Sequence, residues 1–180
     1  MLGWRLWVVG HGTGGQKLVS PFVTAPRWAY DNPGIDLPTT TLGSDGVLRA
    51  ECPYGCEDVP GPCGFCGLYF CTSPRSLLKL APRNNGFVDL RHPAFAVTVG
   101  ETAGPISDDP WHFPDMWAPV TSTHPGSYRC AEYRPRAILG TAVTGLTHYG
   151  VPVYQGTPTL ENLMKVDKLL RLNATKVVST

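Results

Sequence analysis

Five of the six cysteines lie within one short stretch, Cys52-Pro-Tyr-Gly-Cys56-Glu-Asp-Val-Pro-Gly-Pro-Cys63-Gly-Phe-Cys66-Gly-Leu-Tyr-Phe-Cys71. Two close pairs, Cys52/Cys56 and Cys63/Cys66, are separated by a loop rich in proline and glycine. Structural zinc sites have four tetrahedral ligands, and short segments with two to four residues between cysteines supply two thiolates each. The spacing therefore predicts a zinc ion held by these four cysteines, with Cys71 as the substitute for Cys52.

The alternatives for these cysteines are disulfides or unrelated thiols. Clustered cysteines in a reducing cytosol are more often metal ligands than disulfides, and this favours zinc. The predicted zinc knuckle spans residues 52–66, and the loop between its two cysteine pairs is too short to hold a DNA-reading helix. A site closed by four thiolates leaves no coordination position for a substrate, so we expect a structural Zn²⁺ ion and not an enzyme. The sixth cysteine, Cys130, is expected to be a buried thiol.

The rest of the sequence offers no catalytic motif. H-E-x-x-H, G-x-S-x-G and Gly-Lys-Ser/Thr segments are all missing from it. The glycine-rich segment 10–15 resembles a dinucleotide-binding loop that follows a first strand. Pro21 interrupts the helix into which such a loop must lead, so we interpret the segment as a hairpin turn.

Two segments are candidate binding surfaces. In the first, Trp111 and Trp117 stand among prolines, and exposed aromatic side chains are typical of binding hot spots. Burial against a small core is the alternative for these two residues. In the second, arginines neighbour tyrosines, a pattern that suits stacking against single-stranded nucleic acid, although Glu132 dilutes the positive charge. The candidate residues of this second segment are Tyr128, Arg129, Arg134 and Arg136.

Length and charge limit the classes of function. A chain of 180 residues fits a single domain, 1–180. Its net charge of +1 gives no global field that would draw it onto nucleic acid or an acidic membrane. No segment approaches the roughly 20 apolar residues of a membrane helix. The N-terminal segment lacks the pattern of a secretory signal, so we expect a cytoplasmic protein with no membrane partner.

The chain contains 20 glycines and 18 prolines and only 16% charged residues, which favours short strands, turns and long loops. A short helix is predicted with Ser73 as its cap and Pro74 as its first residue, ending before Pro82. A longer helix is predicted over about 158–172, with Thr157 as its N-cap and Pro158 as its first residue. The expected fold is α+β: a mostly antiparallel β-sheet with long Pro/Gly-rich loops, the zinc knuckle, and a C-terminal helix packed on the sheet. The predicted strands cover residues 3–9, 16–23, 47–51, 94–99 and 128–133.

Several short motifs occur in a characteristic order: Gly3-Trp4-Arg5-Leu6-Trp7, Cys63-Gly-Phe-Cys66-Gly67-Leu68-Tyr69, Ser127-Tyr128-Arg129-Cys130-Ala131-Glu132 and Tyr149-Gly150-Val151-Pro152-Val153. Together they resemble a group of small cysteine-containing proteins of actinobacteria and their phages, which carry C-x-C-G-I/L-Y and G-Y-R-A-E elements. The chain departs from this group in having C-x-x-C in place of C-x-C, and Cys130 in place of alanine. The resemblance implies a bacterial or phage-encoded origin and no particular activity.

These observations favour a non-enzymatic, zinc-stabilised binding or regulatory protein whose partner is another protein. One alternative is a nucleic-acid-binding zinc-knuckle module, which the net charge does not support. Another is a structural or assembly component of a phage or cell, in which case the virion would be an expected location. The oligomeric state is not indicated by the sequence.

Overall fold

The computed structural model describes residues 1–12, 15–19, 41–42, 45–52, 55–61, 66–80, 95–108 and 126–177. This part of the chain is rich in strand and ends in a helix, as the sequence predicts. Its helices are α1 (Pro74–Leu80), a 3₁₀ helix (Thr144–Tyr149) and α2 (Leu160–Val177). Its strands are β1 (Leu2–Gly12), β2 (Gly15–Val19), β3 (Thr41–Leu42), β4 (Leu48–Arg49), β5 (Leu68–Cys71), β6 (Phe95–Asp108), β7 (Ser127–Gly140) and β8 (Val153–Gln155).

Four of the strands form a closed circuit of hydrogen-bonded neighbours. β1 pairs with β6, β6 pairs with β7, and β7 pairs with β5. The bridge between Trp4 and Cys71 joins β5 back to β1 and closes the circuit. β2 extends the far end of β1 as the predicted N-terminal hairpin, while β4 and β8 lie along β7. The sheet is mixed, because the β7–β8 pairing is parallel whereas the other pairings among the described residues are antiparallel.

Both faces of β1 are buried, and each faces a different cluster. Successive side chains of a strand point to opposite faces, so Arg5 and Trp7 point to one side while Trp4 and Leu6 point to the other. The first face is the interior of the closed circuit, where Trp7 is completely buried and the Arg5 guanidinium lies 4.2 Å from the centre of its ring. The interior cluster comprises Trp7, Val9, Leu18, Leu48, Leu68, Phe70, Ala96, Cys130, Tyr133, Ile138, Val143, Leu146 and Tyr149.

The two α-helices cover the opposite face of the sheet. Leu77 of α1 and Leu163 and Val166 of α2 are buried there against Trp4 and Leu6 of β1. This confirms that the C-terminal helix packs on the sheet. Within the described residues, no helix combines the length and the apolar character that crossing a membrane would require.

β4 and β5 lie on β7 as one interrupted strand. β4 pairs with β7 as far as Glu132, the next residue donates its backbone N–H to the Ala131 carbonyl at 2.9 Å, and β5 resumes opposite Cys130. The partners on β7 are therefore consecutive, although residues 51–67 intervene in the sequence. We call residues 51–67 the cysteine excursion, because the chain leaves the sheet after Ala50 and returns at Leu68 to the next position on the same strand.

The C-terminal helix begins later than the sequence predicts and extends further. Thr159, not Thr157, is its N-cap, because the Thr159 hydroxyl accepts the backbone N–H of Asn162 at 3.3 Å. The carbonyl of Thr157 instead accepts the side-chain amide of Asn162 at 2.9 Å. Pro158 is buried ahead of the helix, so the predicted role of this proline as the first helical residue is wrong.

Two predicted strands also differ in length from the observed ones. β6 continues to Asp108 instead of ending at residue 99, since a register shift against β7 accommodates Gly104 and Pro105. The predicted strand over residues 47–51 is reduced to the two residues of β4. The strand predicted over residues 128–133 forms the first half of the longer β7.

Candidate metal centre

Three of the four predicted zinc ligands come together in the fold. One sulfur atom from each of Cys52, Cys56 and Cys66 lies within 4.8 Å of the other two. Cys66 is buried, with 2% of its surface exposed, while Cys52 and Cys56 are half-buried. The three side chains converge on one point and could hold a metal ion.

The donor set and its spacing match those of a tetrahedral thiolate site. Thiolate sulfurs bound to zinc lie about 2.3 Å from the ion, which places two sulfurs at tetrahedral corners about 3.8 Å apart. The observed upper limit of 4.8 Å among the three sulfurs is compatible with this geometry after a small contraction. Sulfur donors favour soft or borderline ions such as zinc over magnesium or calcium, which prefer oxygen.

Tight turns bring the cysteines into position. The backbone N–H of Gly55 donates to the Cys52 carbonyl at 3.3 Å, which turns the chain between Cys52 and Cys56. Gly55 has a φ of +73°, in the left-handed region that glycine adopts without steric cost. Gly61 donates its backbone N–H to the sulfur of Cys66 at 2.9 Å. An N–H group that points at a sulfur stabilises a thiolate, as charge-assisted hydrogen bonds do.

The sheet fixes both ends of the cysteine excursion. Cys52 follows Ala50, whose backbone N–H is bonded to β7, by two residues, and Cys66 precedes the first residue of β5 by two. The neighbouring positions of β4 and β5 on β7 therefore bring Cys52 and Cys66 close together. Cys52 and Cys66 of the candidate metal centre therefore lie at the base of the excursion, where the chain leaves and re-enters the sheet.

Arg129 of β7 donates a hydrogen bond to the segment in which the chain re-enters the sheet. Its side chain is buried, with 5% of the residue exposed, and one guanidinium N–H donates to the Cys66 carbonyl at 2.9 Å. Gly67 permits this approach: its φ is +113°, and a Cβ atom added there would lie 3.1 Å from the Cβ of Arg129. The candidate metal centre and β7 are thus joined by a direct hydrogen bond.

The other cysteines have different surroundings. Cys63, the fourth predicted ligand, lies outside the described residues. Cys71, the predicted substitute, is buried in β5 among the residues under the helices, and it is not part of the group of three. Cys130 is buried as predicted and donates its S–H to the Leu68 carbonyl at 3.5 Å. Burial raises the pKa of the Cys130 thiol to about 12, because the charged thiolate is poorly solvated there.

The predicted cationic and aromatic surface is only partly present. Trp111 and Trp117 lie outside the described residues. Arg129 is buried and bonds to the Cys66 carbonyl, and the half-buried Tyr128 stacks on the ring of Phe70, so neither projects freely from the surface. Arg134 and Arg136 are exposed. Arg136 pairs with Glu101 at 3.6 Å, while Glu132, which lies between the two tyrosines of this segment in the sequence, pairs with Arg49 at 3.3 Å.

Sequence reasoning missed two residues of the centre, Gly61 and Arg129 in its buried role. Gly61 follows a Val-Pro dipeptide inside the loop between the two cysteine pairs, and its position there was the available signal. The sequence pattern predicts Arg129 only as part of a cationic and aromatic surface, and arginine is rarely fully buried. Nothing in the local sequence indicates its contact with a residue more than sixty positions away.

Comparison of the chain with protein-family models, with curated proteins and with solved structures gave no match. The inference of function therefore depends on the geometry of the centre and on the sheet around it.

Proposed function

We propose that the protein is a non-enzymatic, zinc-stabilised binding or regulatory protein, and that its zinc ion holds the cysteine excursion at a fixed position on the sheet. The observation that supports this most directly is the continuity of β4 and β5 along β7, with Cys52 and Cys66 at the base of the excursion. An ion bound at the base closes a loop whose two ends are already neighbours. Such closure restricts the unfolded chain and stabilises the fold.

A structural role follows from the ligand chemistry. The three sulfurs, together with the predicted fourth ligand Cys63, would complete the tetrahedral coordination of zinc and leave no position for a substrate. Two described residues bond to Cys66: Gly61 donates its backbone N–H to the Cys66 sulfur, and the buried Arg129 donates to the Cys66 carbonyl. These features favour stabilisation over catalysis.

The proposed recognition surface is the outer part of the excursion. Glu57 and Asp58 are exposed there, and Val59 and Pro60 beside them are half-buried. A rigid acidic loop of this kind would suit a protein partner with a basic surface, since complementary charge fixes the register of an interface. We propose such a partner in the cytoplasm of a bacterial or phage-infected cell. A place in an assembled phage particle is the remaining structural alternative.

Nucleic-acid binding is less well supported than it was from the sequence. Two of the proposed contact residues, Arg129 and Tyr128, pack into the fold, and Arg136 is accompanied by a glutamate. The net charge of +1 adds no general attraction for phosphates. A steep loss of affinity for single-stranded DNA or RNA with rising salt would be needed to revive this alternative.

The metal content of purified variants tests the proposal. Native mass spectrometry and elemental analysis should find one zinc ion per wild-type chain, and Cys56→Ser should lose most of it. Cys130→Ala is the matched control, because it removes a cysteine that lies outside the group of three. Retention of the full zinc content by Cys56→Ser would contradict the proposal, as would a wild-type protein with no bound zinc.

The recognition surface is tested separately. A Glu57→Lys/Asp58→Lys double variant should keep its zinc and its melting temperature, because both side chains are exposed. It should lose the partner that wild-type protein captures from the native host, if that partner recognises the acidic loop. Capture of the same partner by the double variant at unchanged yield would place the recognition surface elsewhere.

A further inference from the structure

Arg129 is a buried cation with no acidic partner among the described residues. Its exposure is 5%, and its one hydrogen bond in this part of the chain goes to the neutral carbonyl of Cys66. The Nε atom is also buried, and among the described residues it has no hydrogen-bond acceptor. A buried charge without a counter-charge is costly, so it usually pairs with an opposite charge or binds an anion.

The candidate metal centre would supply that opposite charge once it is loaded. Zinc carries two positive charges, so three bound thiolates leave the centre with one negative charge and four leave it with two. Cys66 provides both the carbonyl that Arg129 contacts and one of the converging sulfurs. The guanidinium is therefore hydrogen-bonded to a residue whose sulfur belongs to a centre that becomes anionic when the metal binds.

From this we infer that Arg129 is a positioning residue that provides the counter-charge of the metal–thiolate centre. The inference rests on the proposed zinc site and assigns Arg129 a role in its affinity. The charge of Arg129 attracts the anionic loaded centre through the Cys66 residue that both share. Metal binding and the packing of β7 are coupled through this residue, in addition to the hydrogen bond that it makes.

Arg5 offers a matched comparison within the same fold. It is also buried, and its guanidinium donates to a backbone carbonyl of the neighbouring segment, that of Tyr69. Its charge, however, lies over the ring of Trp7 at 4.2 Å, which gives it a favourable cation–π contact in the interior cluster. Arg5→Gln should therefore reduce stability without a comparable change in metal affinity.

The zinc affinity of three variants, measured by competition with a chelator, separates charge from hydrogen bonding. Arg129→Gln keeps an N–H donor and removes the charge, Arg129→Lys keeps the charge and removes the planar guanidinium, and Arg129→Met removes both. Two unit charges roughly 7–10 Å apart at an effective dielectric constant of about 20 attract by an energy equivalent to about 10- to 100-fold in affinity. Arg129→Gln and Arg129→Met should lose zinc affinity by about that factor, and Arg129→Lys should stay within about threefold of the wild type.

The possible outcomes distinguish this inference from the proposal on which it rests. Absence of zinc from the wild-type protein would overturn both. Zinc binding by the wild type, combined with equal affinities of Arg129→Gln and Arg129→Lys, would overturn only the counter-charge role. If the neutral variants fold only with zinc present, their affinities are measured by removal of zinc from the loaded protein. If Arg129→Lys fails to fold and the neutral variants also fail, the inference would be overturned, because the positive charge alone would then be insufficient.

Discussion

Gly61 and Cys56 are in such close contact that no side chain fits between them. A Cβ atom added to Gly61 would lie 2.6 Å from the Cβ of Cys56 and 2.7 Å from its sulfur. The same glycine donates its backbone N–H to the sulfur of Cys66. Gly61 therefore sets the distance between two of the three converging cysteines.

Gly61→Ala should lower metal affinity by about tenfold or more, because the new Cβ would overlap Cys56 and also the Asp58 carbonyl oxygen at 2.6 Å, and relief of both overlaps shifts the backbone that places the Cys56 sulfur and the Gly61 N–H. Each tenfold loss corresponds to about 1.4 kcal/mol. Chelator competition with zinc would measure the change. Gly55→Ala is the control, since Gly55 lies in the same excursion and its left-handed φ disfavours alanine, but a Cβ there would have no neighbour within 4 Å. Equal zinc affinities for the two variants would contradict this account of Gly61.

The interior of the closed circuit contains a directed chain of hydrogen bonds. Trp7 donates its indole N–H to the hydroxyl of Thr98 at 2.8 Å, and Tyr133 donates its hydroxyl proton to the Gly3 carbonyl at 3.1 Å. Because Tyr133 has a single proton to give, Thr98 must donate in the 2.8 Å bond between their two hydroxyl groups. Every polar hydrogen in this chain is therefore used.

Tyr133→Phe should reduce the free energy of unfolding by about 1–3 kcal/mol, because it leaves the Thr98 hydroxyl and the Gly3 carbonyl buried without this partner. Urea unfolding monitored by tryptophan fluorescence would measure the loss. Tyr154→Phe, at a partly buried tyrosine of β8 outside the chain of hydrogen bonds, should cost less. A loss for Tyr133→Phe no larger than that for Tyr154→Phe would show that the interior chain contributes little.

The parts of the fold that sequence could predict are those in which local pattern and tertiary structure agree. The hairpin of β1 and β2 follows from alternating bulky residues around a glycine-rich turn, and the approach of Cys52 to Cys56 follows from their spacing. α1 begins at Pro74 after Ser73, whose hydroxyl accepts the backbone N–H of Ser76 at 3.1 Å. In each of these cases the determining contacts lie within a few residues or a single turn.

The rest depends on contacts between distant segments. β6 continues through Gly104-Pro105, which reads as a strand terminator, because β7 shifts its register to match. The continuity of β4 and β5 depends on β7, which is more than fifty residues further along the chain. The burial of Arg129 depends on the return of the cysteine excursion over it. Local propensity carries no information on these pairings.

Sequence and structure disagree on whether Thr157 or Thr159 is the N-cap of α2, and substitution of each threonine tests this. Thr159→Ala should destabilise the protein by about 0.5–2 kcal/mol, because the N-cap hydroxyl that accepts the Asn162 N–H is removed. Thr157→Ala should cost less, since Thr157 contacts Asn162 through its backbone carbonyl, which the substitution retains. Thermal unfolding of the two variants would rank them. A larger loss for Thr157→Ala would restore the N-cap that the sequence alone predicts.

Burial of Cys130 predicts a loss of stability at alkaline pH. The Cys130 thiol has a pKa raised from the ordinary 9.0 to about 12 by burial, so above pH 9 it ionises in the unfolded chain and remains neutral in the folded one. The unfolded state then binds fewer protons, and the free energy of unfolding falls by at most about 1.4 kcal/mol per pH unit until the folded pKa is reached. Below pH 9 both states keep the proton, and this contribution is fully present.

Cys130→Ala removes the effect, so its deficit in stability relative to the wild type should shrink by about 2 kcal/mol between pH 8 and pH 11 in urea titrations. Other alkaline groups are common to both proteins and cancel in the difference, so a deficit that stays constant over this range would show that Cys130 ionises equally easily in the folded and unfolded states.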